Sequence, residues 1–431
     1  MSQRNVSETE TAIKERARKV LPGGGFGNVS FDVVIKEGKA GRVWDGSDNE
    51  YIDFLLGSGP MLVGHGHADV QAAVLDQVSK GATFFVNNAH GIELAEEICK
   101  AVACADKVRF VSTGSEATFY AMRVARAYRG LDKILKFEGG FHGMSDYALM
   151  SMAPDRPGNF PQATPDTAGI PSKIRDDILI APFNDADTAV SLIREHADEL
   201  GGIIVEPLQR MIPPASGFLE ALREIATATG IPLIFDEVVT GFRFAYGGAQ
   251  EYYGVVPDIC ALGKVVGGGY PLACVAGRDD IMAHFDASEV GAGRAVKQTG
   301  TLSGNPVAAA AGLATLEVLR GEGTYEYLFA SGQKLMDGLT ASITKHGLQA
   351  QIMGLPPMFD ILFTSDKVID YRGAMKSDRT LGKRFNELIL AGGILKGDNK
   401  FYVSTAHTDA DIDEGIAICD AALAQIADEA T

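Results

Sequence analysis

Two residues, a lysine and an aspartate, are placed where their side chains could do chemistry. Lys264 stands between an apolar run and three consecutive glycines in ALGKVVGGGYPLA, residues 261–273, and Asp236 follows an apolar, β-branched run in IPLIFDEVVTGFR, residues 231–243. A desolvated lysine amine can condense with an aldehyde, and a desolvated carboxylate needs a cationic partner such as a protonated ring nitrogen. An ion pair between the two residues is the alternative, but the glycine run favours a ligand because it leaves space close to the backbone.

A third stretch favours the binding of a phosphate group. In RFVSTGSEATFYAMRVARAYRG, residues 109–130, a strand-like run is followed by Ser112 to Ser115 and then by apolar residues at helical spacing. Backbone amides, hydroxyl groups and the helix dipole meet at Gly114 and Ser115, and such an arrangement binds anions. A helix cap completed by Glu116 is the alternative interpretation.

Two further apolar runs end in residues suited to a planar ring. KFEGGFHGMSD, residues 136–146, places Phe141 and His142 in a glycine-flanked loop, and IIVEP, residues 203–207, has Glu206 before a proline that stops the strand. Taken singly, Phe141 is more often a core residue, His142 more often a hydrogen-bonded polar residue, and Glu206 equally often a structural acceptor. Together with the reactive lysine, the phosphate turn and the strand-end carboxylate, they predict pyridoxal 5'-phosphate as the ligand.

These residues lie in a sequence that alternates β-rich runs with helical patterns. From about residue 66 to residue 320 the alternation predicts an α/β fold, in which helices cover both faces of a mostly parallel sheet. Ligands of such sheets bind outside the carboxyl ends of the strands, which is where the polar residues stand. We expect residues 1–65 to form the N-terminal part of a small lobe, 66–320 the large cofactor-binding domain, and 321–431 the C-terminal small domain.

The composition argues against several classes of function. The chain of 431 residues carries a formal charge of −17, which disfavours nucleic acid because phosphate contacts need clustered Lys and Arg. Neither a signal peptide nor an apolar stretch of about 18–20 residues is evident, so we expect a cytoplasmic protein without a membrane partner. The five cysteines lack the CxxC spacing of metal sites and are expected to be buried thiols, so no metal site is predicted.

Taken together, the motifs resemble those of the class III aminotransferases, and within them the glutamate-1-semialdehyde aminomutase branch. The resemblance runs over essentially the whole chain and rests on LPGG (21–24), WDGSDNEYIDF, GHGH, RFVSTGSEA, KFEGGFHG, VEP, FDEVVTGFR, LGKVVGGGYPLA and GTLSGNP (300–306). It implies the aspartate-aminotransferase-like pyridoxal phosphate fold, fold type I, with a large domain and two flanking lobes. It also implies a homodimer whose active sites share residues of both chains.

The resemblance implies roles for the residues that would react with the cofactor or anchor it. Lys264 matches the lysine that forms a Schiff base with the cofactor and moves a proton on the substrate, and Asp236 matches the aspartate that keeps the pyridine nitrogen protonated. Gly114 and Ser115 match the phosphate-binding turn. The implied reaction moves an amino group from an amine or amino acid donor to a carbonyl acceptor.

Other matches lie around the cofactor ring. Phe141 takes the place of the aromatic residue, often tyrosine, that stacks on the ring, and Val238 matches the residue on the opposite face. Thr301 matches the threonine that reaches the phosphate of the neighbouring subunit, and His142 and Glu206 match positions near the cofactor.

The chain departs from the aminomutases where a substrate carboxylate is expected to bind. After the PGG turn, the aminomutases have an SPVR-like segment whose arginine has this role, whereas residues 22–35 of this chain contain no basic residue. The stretch before AHT also lacks the Pro-Ser-containing segment of the aminomutases. Cations that could replace the arginine are Arg243, Arg294, Lys297 and Lys396, although Arg294 and Lys297 lie in a loop that we expect to be solvated.

This departure predicts an intermolecular aminotransferase for amines or amino acids whose carboxylate is absent or differently placed. The alternative is the intramolecular reaction of a glutamate-1-semialdehyde 2,1-aminomutase. Decarboxylation or racemisation of an amino acid, with the same lysine as the catalytic residue, is a further alternative. A binding protein without catalytic activity is the last alternative, although the presence of Lys264 and Asp236 argues against it.

Overall fold

The computed structural model describes residues 4–429, which divide into two compact units. The small unit consists of residues 4–68, 322–366 and 376–429. The large unit consists of residues 69–321 and 367–375. Each unit therefore joins segments that are distant in the sequence.

The elements are numbered along the whole chain. The strands are β1 (Ile35–Lys39), β2 (Arg42–Asp45), β3 (Glu50–Asp53), β4 (Lys107–Val111), β5 (Lys133–Phe137), β6 (Ile178–Ala181), β7 (Leu200–Val205), β8 (Leu233–Glu237), β9 (Ile259–Leu262), β10 (Ala273–Gly277), β11 (Gln351–Leu355), β12 (Met358–Leu362), β13 (Ile394–Leu395) and β14 (Phe401–Tyr402). The α-helices are α1 (Glu8–Val20), α2 (Ala68–Lys80), α3 (Ala89–Ala101), α4 (Gly114–Arg129), α5 (Ala186–Glu195), α6 (Phe218–Thr229), α7 (Ala249–Tyr253), α8 (Asp279–Met282), α9 (Ala287–Val290), α10 (Pro306–Leu319), α11 (Thr324–Lys345), α12 (Tyr371–Ala374), α13 (Arg379–Ala391) and α14 (Asp409–Glu429).

The large unit is built on a seven-stranded sheet in the order β4-β10-β9-β8-β7-β5-β6. Strand β10 runs antiparallel to both of its neighbours, and the other strand pairs of this sheet are parallel. This confirms the predicted α/β fold with a mostly parallel sheet. Strand β10 itself was not predicted, because its sequence, ACVAG, follows a glycine run and a proline and is not rich in β-branched residues.

Continuous apolar runs form the middle strands of this sheet. Every residue of β7, β8 and β9 is buried, as is typical of parallel strands covered on both faces. Because the three strands are parallel neighbours, their carboxyl ends lie at one edge of the sheet. That edge carries Glu206, Asp236 and Lys264.

The small unit contains two further sheets. One has the order β1-β2-β3-β13, with β13 parallel to β3, and the other is antiparallel in the order β11-β12-β14. Helices α11 and α14 contact each other in the same unit. Within residues 4–429, no helix is long and apolar enough to cross a membrane.

A buried ion pair lies inside the small unit. Lys396, one of the candidate substrate cations, places its Nζ 3.0 Å from Oδ1 of Asp360, and both side chains are buried. The same Nζ donates to Oδ1 of Asn386 at 3.0 Å and to the carbonyl of Gly397 at 2.8 Å. Burial raises the pKa of Asp360, and the charge of Lys396 opposes that shift. These contacts give Lys396 a structural role within its own unit.

Replacing Lys396 by methionine is expected to lower the free energy of unfolding by about 3–5 kcal/mol, because it leaves the buried Asp360 carboxylate without its charge partner. Urea titration followed by circular dichroism measures the loss. Lys19, which is exposed in α1 of the same unit, provides the matched control. Lys19→Met removes the same charge and is expected to change stability by less than about 0.5 kcal/mol. A Lys396→Met variant as stable as this control would contradict the structural role.

Candidate active site

Lys264 lies in a strained turn at the carboxyl edge of the large sheet. Strand β9 ends at Leu262, and a turn of 3₁₀-helix follows at Lys264–Gly267. Lys264 has φ +52°, a left-handed conformation that costs a non-glycine residue roughly 1–3 kcal/mol. Such strain is concentrated at functional sites, so it supports the role predicted for this lysine.

Asp236 and His142 form a buried, hydrogen-bonded pair. Nδ1 of His142 lies 2.8 Å from Oδ2 of Asp236, and the N–H of Val238 donates to Oδ1 at 3.1 Å. Burial lowers the pKa of His142 to about 3, and the charge of Lys136 acts in the same direction. His142 is therefore neutral at physiological pH, and its Nδ1–H donates to the carboxylate. This bond orients Asp236 without neutralising its charge.

Lys136 is a buried amine that sequence analysis did not single out. Its side chain is fully buried in β5, and its Nζ donates to the carbonyl of Ala148 at 2.7 Å. Burial lowers the pKa of Lys136 to about 7, although the charges of Asp166 and Glu206 act to raise it. The available signal was its place inside the apolar run KILKF, because a lysine in a buried strand needs polar compensation.

The turn before α4 is capped and closely packed. Thr113 Oγ1 accepts the N–H of Glu116 at 3.2 Å, and Glu116 Oε2 accepts the N–H of Thr113 at 2.9 Å. The helix cap considered from the sequence is therefore present. The first turn still presents the N–H groups of Gly114 and Ser115, which have no intrahelical acceptor. A Cβ at Gly114 would lie 2.7 Å from Cγ1 of Val238, so glycine permits this close approach.

Val238 lies between the phosphate turn and the lysine turn. Besides its contact with Gly114, its Cγ1 would lie 3.2 Å from a Cβ built at Gly263, the residue before Lys264. The side chain of Val238 is partly exposed. The structure thus brings the turn at Gly114, the valine and the lysine turn together on one side of the sheet edge.

Phe141 lies at the surface of the site and not in the core. Its side chain is 36% exposed, and its N–H donates to Oε2 of the buried Glu206 at 2.8 Å. Glu206 therefore acts as the structural acceptor that holds the Phe141 loop. The Cζ of Arg210 lies 5.4 Å from the centroid of the Phe141 ring. Arg210 was missed by sequence analysis, although a basic residue close behind the strand end in VEPLQR was a usable signal.

The candidate cations lie in different environments. Arg243 is fully buried, and its Nε donates to a backbone carbonyl of the preceding turn at 3.2 Å. Arg294 and Lys297 are exposed, and Lys396 is held by its buried ion pair. Thr301, expected to serve a neighbouring subunit, is also exposed.

The residues at this edge fit pyridoxal 5'-phosphate. The N–H groups at the start of α4 and the hydroxyl of Ser115 suit a phosphate. The exposed ring of Phe141 and the side chain of Val238 suit the two faces of a planar ring. The buried carboxylate of Asp236 suits a protonated ring nitrogen, and the amine of Lys264 suits an aldehyde. All of these groups belong to the large unit.

Comparisons with known proteins agree with this assignment. A family model described as aminotransferase class-III matches residues 26–423. The glutamate-1-semialdehyde 2,1-aminomutase of Natranaerobius thermophilus is 37% identical over 421 residues, which cover 95% of this chain and 96% of the relative. An omega-transaminase from Sphaerobacter thermophilus has a TM-score of 0.92 and 34% identity, with 98% of each chain covered. A transaminase structure with PLP bound has a TM-score of 0.90 and 29% identity, with 99% of each chain covered.

The fold and the site define an enzyme of the pyridoxal phosphate class, fold type I. The chain belongs to the class III aminotransferases, whose family model matches most of its length. Its cofactor is pyridoxal 5'-phosphate. The family, the fold class and the cofactor predicted from the sequence are thereby confirmed.

Changing Asp236 to asparagine is expected to leave cofactor binding intact and to slow the half-reaction with an amino donor by orders of magnitude, because a neutral amide cannot stabilise a protonated ring nitrogen. Stopped-flow absorbance measures this rate constant. Asp258 is the matched control, since it is equally buried and pairs with Arg223 Nη1 at 2.9 Å in the same unit. Asp258→Asn is expected to reduce stability but not this rate constant. An unchanged rate constant in Asp236→Asn would refute the role of this carboxylate.

Proposed function

We propose that the chain is an intermolecular aminotransferase, which moves an amino group from an amine or amino acid donor to a keto acid, aldehyde or ketone acceptor. The observation that carries the proposal is that residues 22–35 contain no basic residue. Without an arginine there, a buried substrate carboxylate lacks the bidentate partner expected in the aminomutases, a deficit of about 2–5 kcal/mol for such charge pairs. Lys396 does not make up the deficit, because Asp360 engages it. The specificity is therefore expected to differ from that of the aminomutases.

Lys264 and Asp236 supply the reactive groups in this proposal. Pyridoxal phosphate, when bound, supplies an aldehyde that condenses with amines and a ring that withdraws electrons from the substrate carbon. Nζ of Lys264 would hold the cofactor at its aldehyde carbon, and as a free amine it would move a proton at the substrate carbon. The carboxylate of Asp236 keeps the ring nitrogen protonated. The N–H groups of Gly114 and Ser115 anchor the phosphate, and the ring of Phe141 fixes the orientation.

An intramolecular aminomutase is the second candidate function. The Natranaerobius thermophilus relative bears this name at 37% identity over 95% of the chain. Other curated relatives of 37–38% identity bear the same name, and these names favour an aminomutase over a simple transaminase. The lysine, the aspartate and the phosphate turn serve both reactions equally. The two reactions differ in whether the amino group is transferred to a second molecule or returned to another carbon of the same molecule. That difference depends on how the protein holds the substrate.

We further propose a cytoplasmic homodimer with shared active sites. Thr301 supports the shared site, because it matches the threonine that in this family reaches the phosphate of the neighbouring subunit. It stands in GTLSGNP ahead of α10, and its exposure leaves the hydroxyl accessible to a second chain.

Changing Lys264 to alanine is expected to abolish turnover and to leave a folded protein, because the change removes the Schiff-base amine but no core side chain. Steady-state assays report turnover, and loss of the visible absorbance of the Schiff base reports loss of the covalent link. Lys100→Ala, which removes an exposed lysine of α3 in the same unit, is the control and is expected to keep both signals. Turnover near the wild-type level in Lys264→Ala would refute the assignment.

A donor panel separates the two candidate functions. The purified holoenzyme is mixed with amines and amino acids, with pyruvate or 2-oxoglutarate as the acceptor, and separately with glutamate-1-semialdehyde. We expect transfer from at least one donor and poor formation of 5-aminolevulinate, because the expected carboxylate partner is absent from residues 22–35. Chromatography of the amino products measures both the transfer from each donor and the formation of 5-aminolevulinate. Efficient formation of 5-aminolevulinate, with no transfer from any donor, would establish the aminomutase instead.

A further inference from the structure

Arg210 lies in an unusual backbone conformation at the same edge of the sheet as Lys264. It follows strand β7 with φ +59°, in the left-handed region that L residues other than glycine rarely adopt. The basic residues with positive φ among residues 4–429 are Lys264 and Arg210. A glycine at this position would avoid a cost of roughly 1–3 kcal/mol, so the arginine is retained against its local backbone preference.

The guanidinium of Arg210 is fixed by neutral acceptors. Nε donates to the carbonyl of Gly139 at 2.9 Å, and Nη2 donates to the carbonyl of Met152 at 3.2 Å. Asp166 steadies the second acceptor, because its Oδ1 accepts the N–H of Ala153 at 3.1 Å in the same turn. Within residues 4–429, no carboxylate forms a salt bridge with Arg210. An arginine has five N–H donors, so three remain for an acceptor outside the protein.

The guanidinium lies next to the residue predicted to stack on the cofactor ring. Its Cζ is 5.4 Å from the centroid of Phe141, whose side chain is exposed. Glu206 fixes the Phe141 loop through the hydrogen bond to the Phe141 N–H. Arg210 is partly exposed, so a small molecule in contact with Phe141 can also reach the guanidinium. The side chain thus combines a fixed position, unused donors and access from solvent.

We propose that Arg210 binds the carboxylate of an amino acid donor, in place of the arginine that residues 22–35 lack. The inference rests on the proposed aminotransferase function and narrows its donor from any amine to carboxylate-bearing amines. A guanidinium suits this role because its planar fork binds both oxygens of a carboxylate. The two acceptors that hold the guanidinium are neutral carbonyl groups, so neither of them cancels its positive charge.

A purely structural role predicts a different outcome. If Arg210 only clamped the turns at Gly139 and Met152, its loss would impair every donor equally, with or without a carboxylate. Arg210→Gly is a suitable variant because glycine adopts φ +59° without strain, which protects folding. Arg194→Gln is the matched control, since it removes one positive charge from an exposed position of α5 in the same unit.

The test compares donors that differ only in a carboxylate in place of a methyl group. The pairs are alanine with propan-2-amine and 3-aminobutanoate with butan-2-amine, and each is mixed with holoenzyme in a single half-reaction followed by absorbance. For Arg210→Gly, we expect the second-order rate constant of the carboxylate donors to fall about 100-fold, and that of the plain amines to change less than about threefold. Arg194→Gln is expected to leave both rate constants unchanged. Equal losses for both members of a pair, or no loss for the carboxylate donors, would overturn the proposal.

An equilibrium measurement keeps the result independent of turnover. Titration calorimetry of butanoate into the holoenzyme is expected to give a dissociation constant at least about tenfold higher for Arg210→Gly than for the wild type or Arg194→Gln. If the wild type transfers from no donor, the proposed function fails and calorimetry alone decides on Arg210. If transfer occurs but butanoate binds both proteins equally, or binds neither, only the role of Arg210 is overturned.

Discussion

The rest of the site depends on the buried carboxylate at the end of β8, because its charge has to be stabilised by the groups around it. Asp236 is 6% exposed, so its charge is stable only with hydrogen bonds and a cation. His142 supplies a hydrogen bond but no charge, because burial keeps it neutral. A protonated ring nitrogen carries a positive charge that suits this buried carboxylate, which is why we propose that Asp236 faces the cofactor ring.

Strained backbone places the two cations that matter most for the proposed chemistry. Lys264 and Arg210 both have positive φ, and both follow buried parallel strands of the same sheet. Strain of this kind persists only where the surrounding structure enforces it, and here the fully buried strands β7 and β9 precede the turns. The rigid sheet therefore allows two unfavourable turns to hold reactive or binding groups at one edge.

The family assignment and the specificity rest on different parts of the molecule. We propose that residues at the strand ends of the large unit carry the chemistry of the class, which an aminomutase and a transaminase would both need. The names of the curated relatives favour the aminomutase, whereas the composition of residues 22–35 favours intermolecular transfer. The difference between the two reactions depends on how a substrate carboxylate is held, and Arg210 is the residue of the large unit that we propose for this role.

The sequence by itself determined the fold class and the cofactor, and it predicted the strand ends that we propose carry the site. It could do so because continuous apolar runs predict buried parallel strands, and because the residue types at their ends match the groups of one ligand. Strand β10 was not predicted, because its short sequence follows a glycine run and contains few β-branched residues. Only the tertiary structure decided that His142 is neutral beside Asp236, that Lys396 is engaged by Asp360, and that Arg210 lies on Phe141. The physical reason is that burial, charge and strain depend on residues far apart in the sequence, whereas a strand pattern is local.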